Sequence, residues 1–216
     1  MRDWSQFIRS HTRILSPPLV PELRLHLASE VTPLWHATEA SLERTGLPPP
    51  FWAFAWPGGQ ALARYLLDRP ELARGLAVLD FAAGSGIAAI AAARAGAAAV
   101  TASDIDPAAC AAMRLNAAAN GVTIESVGED LTQGAGRPAD LILAGDVCYE
   151  RGMAERALAW LRSQARAGTT VLLADPGRAY RPQDGLEELA RYSVPTSRDL
   201  EDREERETVV WNICGR

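Results

Sequence analysis

The stretch Val78–Ala89 reads VLDFAAGSGIAA: an apolar run, a carboxylate at Asp80, then a turn containing Gly84 and Gly86. The glycine spacing, G-x-G-x-x-A, fits a dinucleotide-binding fingerprint. In that fingerprint the strand normally runs apolar straight into the first glycine. Asp80 would place a negative charge beside a pyrophosphate in a partly desolvated cleft, where like charges repel. S-adenosylmethionine carries no phosphate, and its α-ammonium and sulfonium are both positive. A strand-end acid with glycine backbone close by suits it, and it is the cofactor expected here, with Asp80, Gly84 and Gly86 around its methionine portion. Asp104, in TASDID about 20 residues further on, stands where a carboxylate accepts both ribose hydroxyls. That feature is common to binders of NAD and of S-adenosylmethionine. Asp130, in GEDL, is placed to meet the adenine amino group.

The elements that must position these residues alternate from Leu76 onward. LAVLDF, AAVTASD, VTIESV, DLILAGD and TTVLLAD read as strands. GIAAIAAARAG, DPAACAAMRLNAAANG and MAERALAWLRSQARAG read as helices, the second with Asp106 as its cap, Pro107 in its first turn and Gly121 at its end. Such alternation predicts an α/β fold with a mostly parallel sheet covered on both faces. RETVVWNICG alternates apolar and polar residues and reads as an antiparallel edge strand. Ahead of this lies an N-terminal extension over residues 1–50, predicted to be helical in DWSQFIRSH, PELRLHLASE and PLWHATEASLERTG. The remainder, 51–216, reads as one catalytic domain.

Composition narrows the chemistry. The chain of 216 residues is 48% hydrophobic and 23% charged, enough apolar content to bury a core. Its net charge of −5 argues against a protein that lives on phosphate backbones. Every basic residue is arginine, so Schiff-base, P-loop and general-base lysines are excluded. Cys110, Cys148 and Cys214 share no metal-binding or redox spacing; no metal is expected, and a reducing, cytoplasmic setting fits. The first residues lack an apolar stretch of signal-peptide length, and the alanine-rich run after Gly86 is interrupted by Arg94 and Gly96, so no membrane association is expected. His11, His26 and His36 belong to no motif.

Asp80-x-x-x-Gly84-x-Gly86 followed by Asp104 and Asp130 resembles the Rossmann-like class I methyltransferases. With PFWAFAWPGGQALARYLLD, DIDP, GDVCYE and LLADPGR, the chain from about Pro50 to Arg178 is similar to the electron-transfer-flavoprotein β-subunit lysine methyltransferases of methyltransferase family 16. The resemblance implies transfer of a methyl group to lysine in a protein, most simply that flavoprotein subunit. A ribosomal protein resembling L11, a small molecule or a nucleic acid is the alternative substrate, and a non-catalytic or NAD-dependent module a different class. The family's Asp-x-x-Tyr motif falls on Asp146 and Tyr149, implying that Asp146 orients the amine and Tyr149 walls its channel. Cys148 stands where the family usually has Phe. The family's tryptophan falls on Trp56, beside the cofactor. Asp175 and Arg178, in DPGR, are implied at the substrate entrance. Phe51, Trp52 and Phe54 read as core before substrate contacts.

Overall fold

A computed structural model describes residues 3–28, 49–134, 136–196 and 201–215. Its centre is a seven-stranded sheet in the order β5-β4-β3-β6-β7-β9-β8. The strands are β3 (Ala77–Phe81), β4 (Ala99–Ser103), β5 (Glu125–Val127), β6 (Leu141–Gly145), β7 (Thr170–Asp175), β8 (Leu186–Pro195) and β9 (Glu205–Ile213). β3 to β7 run parallel, as their alternation with helices predicts. β9 pairs antiparallel with β7, and β8 antiparallel with β9. β9 is therefore antiparallel, as expected, but lies one strand inside. The edge is β8, half of whose residues are exposed and whose register shifts between Glu188 and Ala190.

The alternating apolar residues of the central strands are divided between two cores. Val78, Leu141, Leu143, Leu172 and Ala174 pack on one side with helices α2 (Pro57–Asp68) and α3 (Ile87–Arg94). Leu79, Phe81, Ile142, Ala144, Val171 and Leu173 face the other side, against α5 (Arg151–Arg166). A strand buried on both faces has no polar side to show, which is why these segments read as unbroken apolar runs. Helix α4 (Pro107–Asn120) starts as its sequence predicts: Asp106 accepts a hydrogen bond from the Ala108 N–H at 2.8 Å, Pro107 is the first helical residue, and Gly121 ends it at φ +65°.

The N-terminal segment departs from expectation. DWSQFIRSH forms the predicted helix α1 (Trp4–His11), capped by Asp3. PELRLHLASE does not form a helix: Leu25–Leu27 is strand β2, paired antiparallel with β1 (Arg13–Leu15). Leu23, Leu25 and Leu27 are buried at a spacing of two. PLWHATEASLERTG, with His36, lies outside the described residues. Ile8 of α1 is buried with Trp52, Phe54 and the alanine face of α4, and the His26 N–H donates to Asn116 Oδ1 of α4 at 2.7 Å. This extension seals the alanine-rich side of α4.

The chain leaves β3 toward β4 and β5, then returns to the other side of β3 as β6. The carboxyl ends of β3 and β6 thus flank the point where strand order reverses, the place where open α/β sheets bind ligands. Asp80 is the penultimate residue of β3 and Asp146 directly follows β6.

Candidate active site

A cavity of about 950 Å³ opens at this reversal. Its wall includes Trp56, Asp80, Gly84, Asp104, Asp130, Asp146, Tyr149 and Arg178, bringing together eight of the ten residues singled out from sequence. Gly86 and Asp175 are not on the wall. Gly86 is the residue from which α3 starts, at φ +76°, and a side chain there would meet Met113 Cγ at 3.0 Å. Asp175 is buried, and its Oδ1 accepts hydrogen bonds from the N–H groups of Gly177 and Arg178, both at 2.7 Å. It shapes the turn that delivers Arg178 and does not itself border the entrance.

Two strand-end carboxylates are held in the same way. Neither α2 nor α3 has a side-chain cap of its own. The Ala89 N–H, in the first turn of α3, donates to Asp80 Oδ2 at 2.9 Å. The Gly59 N–H, in the first turn of α2, donates to Asp146 Oδ2 at 3.2 Å. Each acid thus replaces a capping residue from across the fold and meets the positive end of a helix dipole. Burial nevertheless dominates: it pushes both carboxyls up to about 7. For Asp146 this happens despite the Arg178 guanidinium, whose Nη2 lies 3.5 Å from Oδ1.

Asp104 ties the glycine turn to β4. Its Oδ2 accepts from the Gly84 N–H at 2.9 Å and its Oδ1 from the Asp106 N–H at 3.0 Å. Each oxygen retains a second lone pair. Burial raises its pKa as well. Asp130 is exposed; the Thr132 hydroxyl, 2.6 Å from its Oδ1, lowers its pKa.

The other half of the wall is aromatic. Trp56 donates its indole N–H to the Phe51 carbonyl at 2.8 Å. The Phe51 ring lies 5.9 Å from Trp56 and 5.3 Å from Tyr149. Tyr149 is 43% exposed, so its ring is free to meet a ligand at the mouth. Trp52 and Phe54 are almost fully buried and reach the cavity from its floor. Phe51, read from sequence as core, belongs to the mouth; its position directly after three prolines was the available signal. Cys148 is fully buried, packs with Phe81, Ile142 and Trp160, and is not on the cavity wall. Burial pushes its thiol up to about 12.

Sequence reasoning missed the glycines' purpose and one acid. A Cβ on Gly58 would lie 2.6 Å from both the Ala174 carbonyl and Asp146 Oδ2. The PGG segment lets α2 press its N-terminus onto the ends of β6 and β7. Glu201, in the connection between β8 and β9, is 3% exposed and ion-paired with Arg178 and Arg206. Nothing marks it within the run EDREERE, which reads as a solvated charge cluster.

The cavity wall carries Asp80, Asp104, Asp106, Glu129, Asp130, Asp146 and Glu150 against only Arg156 and Arg178. This donor set fits a cationic cofactor and opposes a pyrophosphate. Among the described residues, no cluster of His, Cys, Asp or Glu could hold a metal ion, and no helix is long and apolar enough to cross a membrane.

Fold and site define a class I, S-adenosylmethionine-dependent methyltransferase. Among solved structures, magnesium protoporphyrin IX methyltransferase from Synechocystis PCC 6803 with bound SAM superposes at a TM-score of 0.51 with 18% identity, covering 98% of each chain. The ribosomal protein L11 methylase from Lactobacillus delbrueckii subsp. bulgaricus gives 0.52 with 22% identity, covering 79% of this chain and 83% of that one. These likenesses show the fold. The model of the ribosomal protein L11 methyltransferase family matches residues 60–148. The electron transfer flavoprotein beta subunit lysine methyltransferase of Xenopus laevis is 41% identical over 96% of this chain and 85% of its own length. The Homo sapiens protein of the same name is 35% identical, over 96% of this chain and 80% of its own length. The chain belongs to the electron transfer flavoprotein β-subunit lysine methyltransferase family, and is an S-adenosylmethionine-dependent protein-lysine methyltransferase.

Proposed function

We propose that the enzyme methylates a lysine Nζ of the β-subunit of electron transfer flavoprotein. The observation that carries this reading is the identity to relatives of that name along nearly the whole chain. The cavity mouth supports it. Asp146, Tyr149 and Phe51 line one cavity, a buried carboxylate beside aromatic walls, which suits an aliphatic stem with an amine at its tip. The acidic wall argues against an RNA or DNA backbone as partner.

We assign the residues as follows. Asp104 takes the ribose hydroxyls, Asp130 meets the adenine end, and Trp56 covers the cofactor. Asp80 and the Gly84–Gly86 turn face the methionine end. When bound there, the cofactor supplies a methyl group on a sulfonium, taken by the amine's lone pair as the C–S bond breaks. The protein's task is alignment and desolvation. Freeing the amine of its proton at pH 7 costs about 4.6 kcal/mol for a lysine of ordinary pKa. Phe51 and Tyr149 lower that cost by excluding water from the ammonium. Asp146 orients the amine through its Oδ1. Arg178 borders the entrance. The three free cysteines accord with work in a reducing, cytoplasmic compartment.

The test mixes purified enzyme, labelled cofactor and purified flavoprotein, with mass spectrometry to locate the mark. Because this chain has no lysine, no lysine automethylation obscures the result. A mark on a β-subunit lysine supports the reading. No transfer there, beside robust transfer to ribosomal protein L11 or to RNA, overturns it.

A further inference from the structure

Glu201 is a buried acid that the chemistry above does not use. Its two carboxylate oxygens grip the Arg178 guanidinium, Oε2 at 3.0 Å from Nη1 and Oε1 against Nη2. Arg206 secures it from the other side: Nε lies 3.0 Å from Oε2, and Nη2 donates to the Glu201 carbonyl at 3.0 Å. The same Arg178 Nη2 reaches Asp146 only at 3.5 Å. One guanidinium is thus shared unequally between two acids, tightly with Glu201 and loosely with Asp146. A bidentate arginine–carboxylate pair has a strong geometric preference, and Glu201 has claimed it.

We propose that Glu201 is a positioning residue: by gripping Arg178 it holds the guanidinium off Asp146, leaving Asp146 open to the substrate amine. This rests on the reading of Asp146 as the group that orients the amine. Arg178 and a lysine ammonium compete for the same carboxylate, and Arg178, being tethered, would win if released. The charged and titratable groups facing Asp146 are Arg178, Asp175 and Glu201, with the Cys148 thiol behind; Arg206 and Arg178 face Glu201. Of these, only Arg178 lowers the Asp146 carboxyl, and its reach is what Glu201 sets.

The consequence is a coupling carried by Arg178, which direct repulsion between the two acids would not show once Arg178 is removed. In Glu201→Gln, Arg178 loses its bidentate partner and closes on Asp146. The Asp146 carboxyl then titrates lower, and KM for the protein substrate rises more than cofactor affinity changes. Arg178→Met shifts the titration upward. In the double variant Glu201 has no guanidinium left to restrain, so it behaves as Arg178→Met alone, a non-additive cycle.

The test is carboxyl carbon NMR of the full chain across pH, with the Asp146 signal assigned by its loss in Asp146→Asn, beside kcat and KM on the flavoprotein. Direct repulsion from Glu201 also raises Asp146, so the decisive comparison is the cycle. The expected result is a lower Asp146 midpoint in Glu201→Gln, an intermediate one in Glu201→Asp, and the same midpoint in Arg178→Met with and without Glu201→Gln. A full drop on adding Glu201→Gln to Arg178→Met shows repulsion between the acids alone and overturns the proposal. An unchanged midpoint in a folded Glu201→Gln overturns the proposal. If Glu201→Gln does not fold, an Asp146 midpoint in Glu201→Asp equal to wild type overturns it instead. The NMR arm needs no substrate, so a wild-type enzyme that ignores the flavoprotein refutes the proposed function while leaving this titration to decide the role of Glu201.

Discussion

Gly58→Ala tests whether the reading of the PGG segment is right. The added Cβ would lie 2.6 Å from the Ala174 carbonyl oxygen and from Asp146 Oδ2, and 2.8 Å from the Asp146 nitrogen. Ordinary contacts begin near 3.4 Å, so α2 or the β6 end must give by about 0.8 Å. Two of the three obstructing atoms are backbone, which cannot swing aside. Overpacking of this kind costs about 1–3 kcal/mol. Against it, alanine gains about 1 kcal/mol over glycine in a helix. The net effect on stability is therefore small, roughly 0–2 kcal/mol destabilising. The effect on catalysis is not small. The displaced group is Asp146 itself, and a misplacement near 1 Å costs on the order of 10²-fold in rate. Urea denaturation, calorimetry with S-adenosylhomocysteine and single-turnover methylation measure the three quantities separately. Gly134→Ala is the control: Gly134 has φ −141° and open space where its Cβ would go. The expected pattern is near-normal stability and cofactor affinity with a large loss of rate in Gly58→Ala, and no change in Gly134→Ala. A Gly58→Ala enzyme with wild-type turnover would refute the claim that this helix end sets the position of Asp146.

Three further outcomes are expected. Asp104→Ala loses cofactor affinity by about 1–3 kcal/mol in calorimetry, because hydrogen bonds to a charged, buried group are lost; unchanged affinity in a folded variant would place the ribose elsewhere. Asp146→Asn keeps its shape and its bond from Gly59 but not its charge, so turnover falls while cofactor affinity holds; a near-full methylation rate contradicts its positioning role. Asp80, raised to about 7, is ionised only above that pH, so affinity for the cationic cofactor should weaken, approaching tenfold per unit, as pH falls below 7, and Asp80→Asn should flatten that dependence. The sign for the free protein is opposite: a carboxyl with a raised pKa lets the fold bind a proton the unfolded chain releases, so the unliganded enzyme loses stability as pH rises from about 4 through 7.

The central sheet was legible because β3, β6 and β7 are buried on both faces and separated by glycine-marked turns. The start and end of α4 were legible for a local reason, since Asp106, Pro107 and Gly121 act within their own turn. β8 was not, because its alternation over Ala190, Tyr192 and Val194 is short and is broken by the irregularity between Glu188 and Ala190. β2 was misread because Leu23 and Leu27 also satisfy a helical spacing, and only the burial of Leu25 between them decides for period two. The same division holds at the site. Asp80, Gly84 and Asp104 lie on one β-α-β unit, so their meeting follows from the sequence order. Glu201 reaches Arg178 from 23 residues away across an antiparallel return, and no local pattern predicts that meeting. Asp175 lies off the cavity wall: a strand-end acid before a glycine turn can cap the turn or face the ligand, and here its Oδ1 caps the turn.

Stability and function are joined at the two carboxylates beside the strand reversal. Asp80 and Asp146 each accept from the N–H of the third residue of a helix that lacks its own cap, and each does so with one oxygen, Oδ2. Both side chains line the cavity, and the other oxygen of Asp146 also faces Arg178. This arrangement explains why two buried acids persist at a site where burial alone raises both to about 7. Each capping bond offsets part of the desolvation, about 0.5–2 kcal/mol by comparison with ordinary caps. The remainder is recovered only when a cation arrives, since opposite charge nearby favours the ionised form. A site built this way is selective by charge before it is selective by shape. It favours a sulfonium and the ammonium form in which a lysine arrives, before that lysine gives up its proton to attack, and it holds the two carboxylates at fixed positions on the ends of two helices. An amide at either position keeps the cap and discards the charge, whereas alanine discards both. The asparagine and alanine variants at Asp80 and Asp146 therefore separate the contribution of each carboxylate to the fold from its contribution to the chemistry.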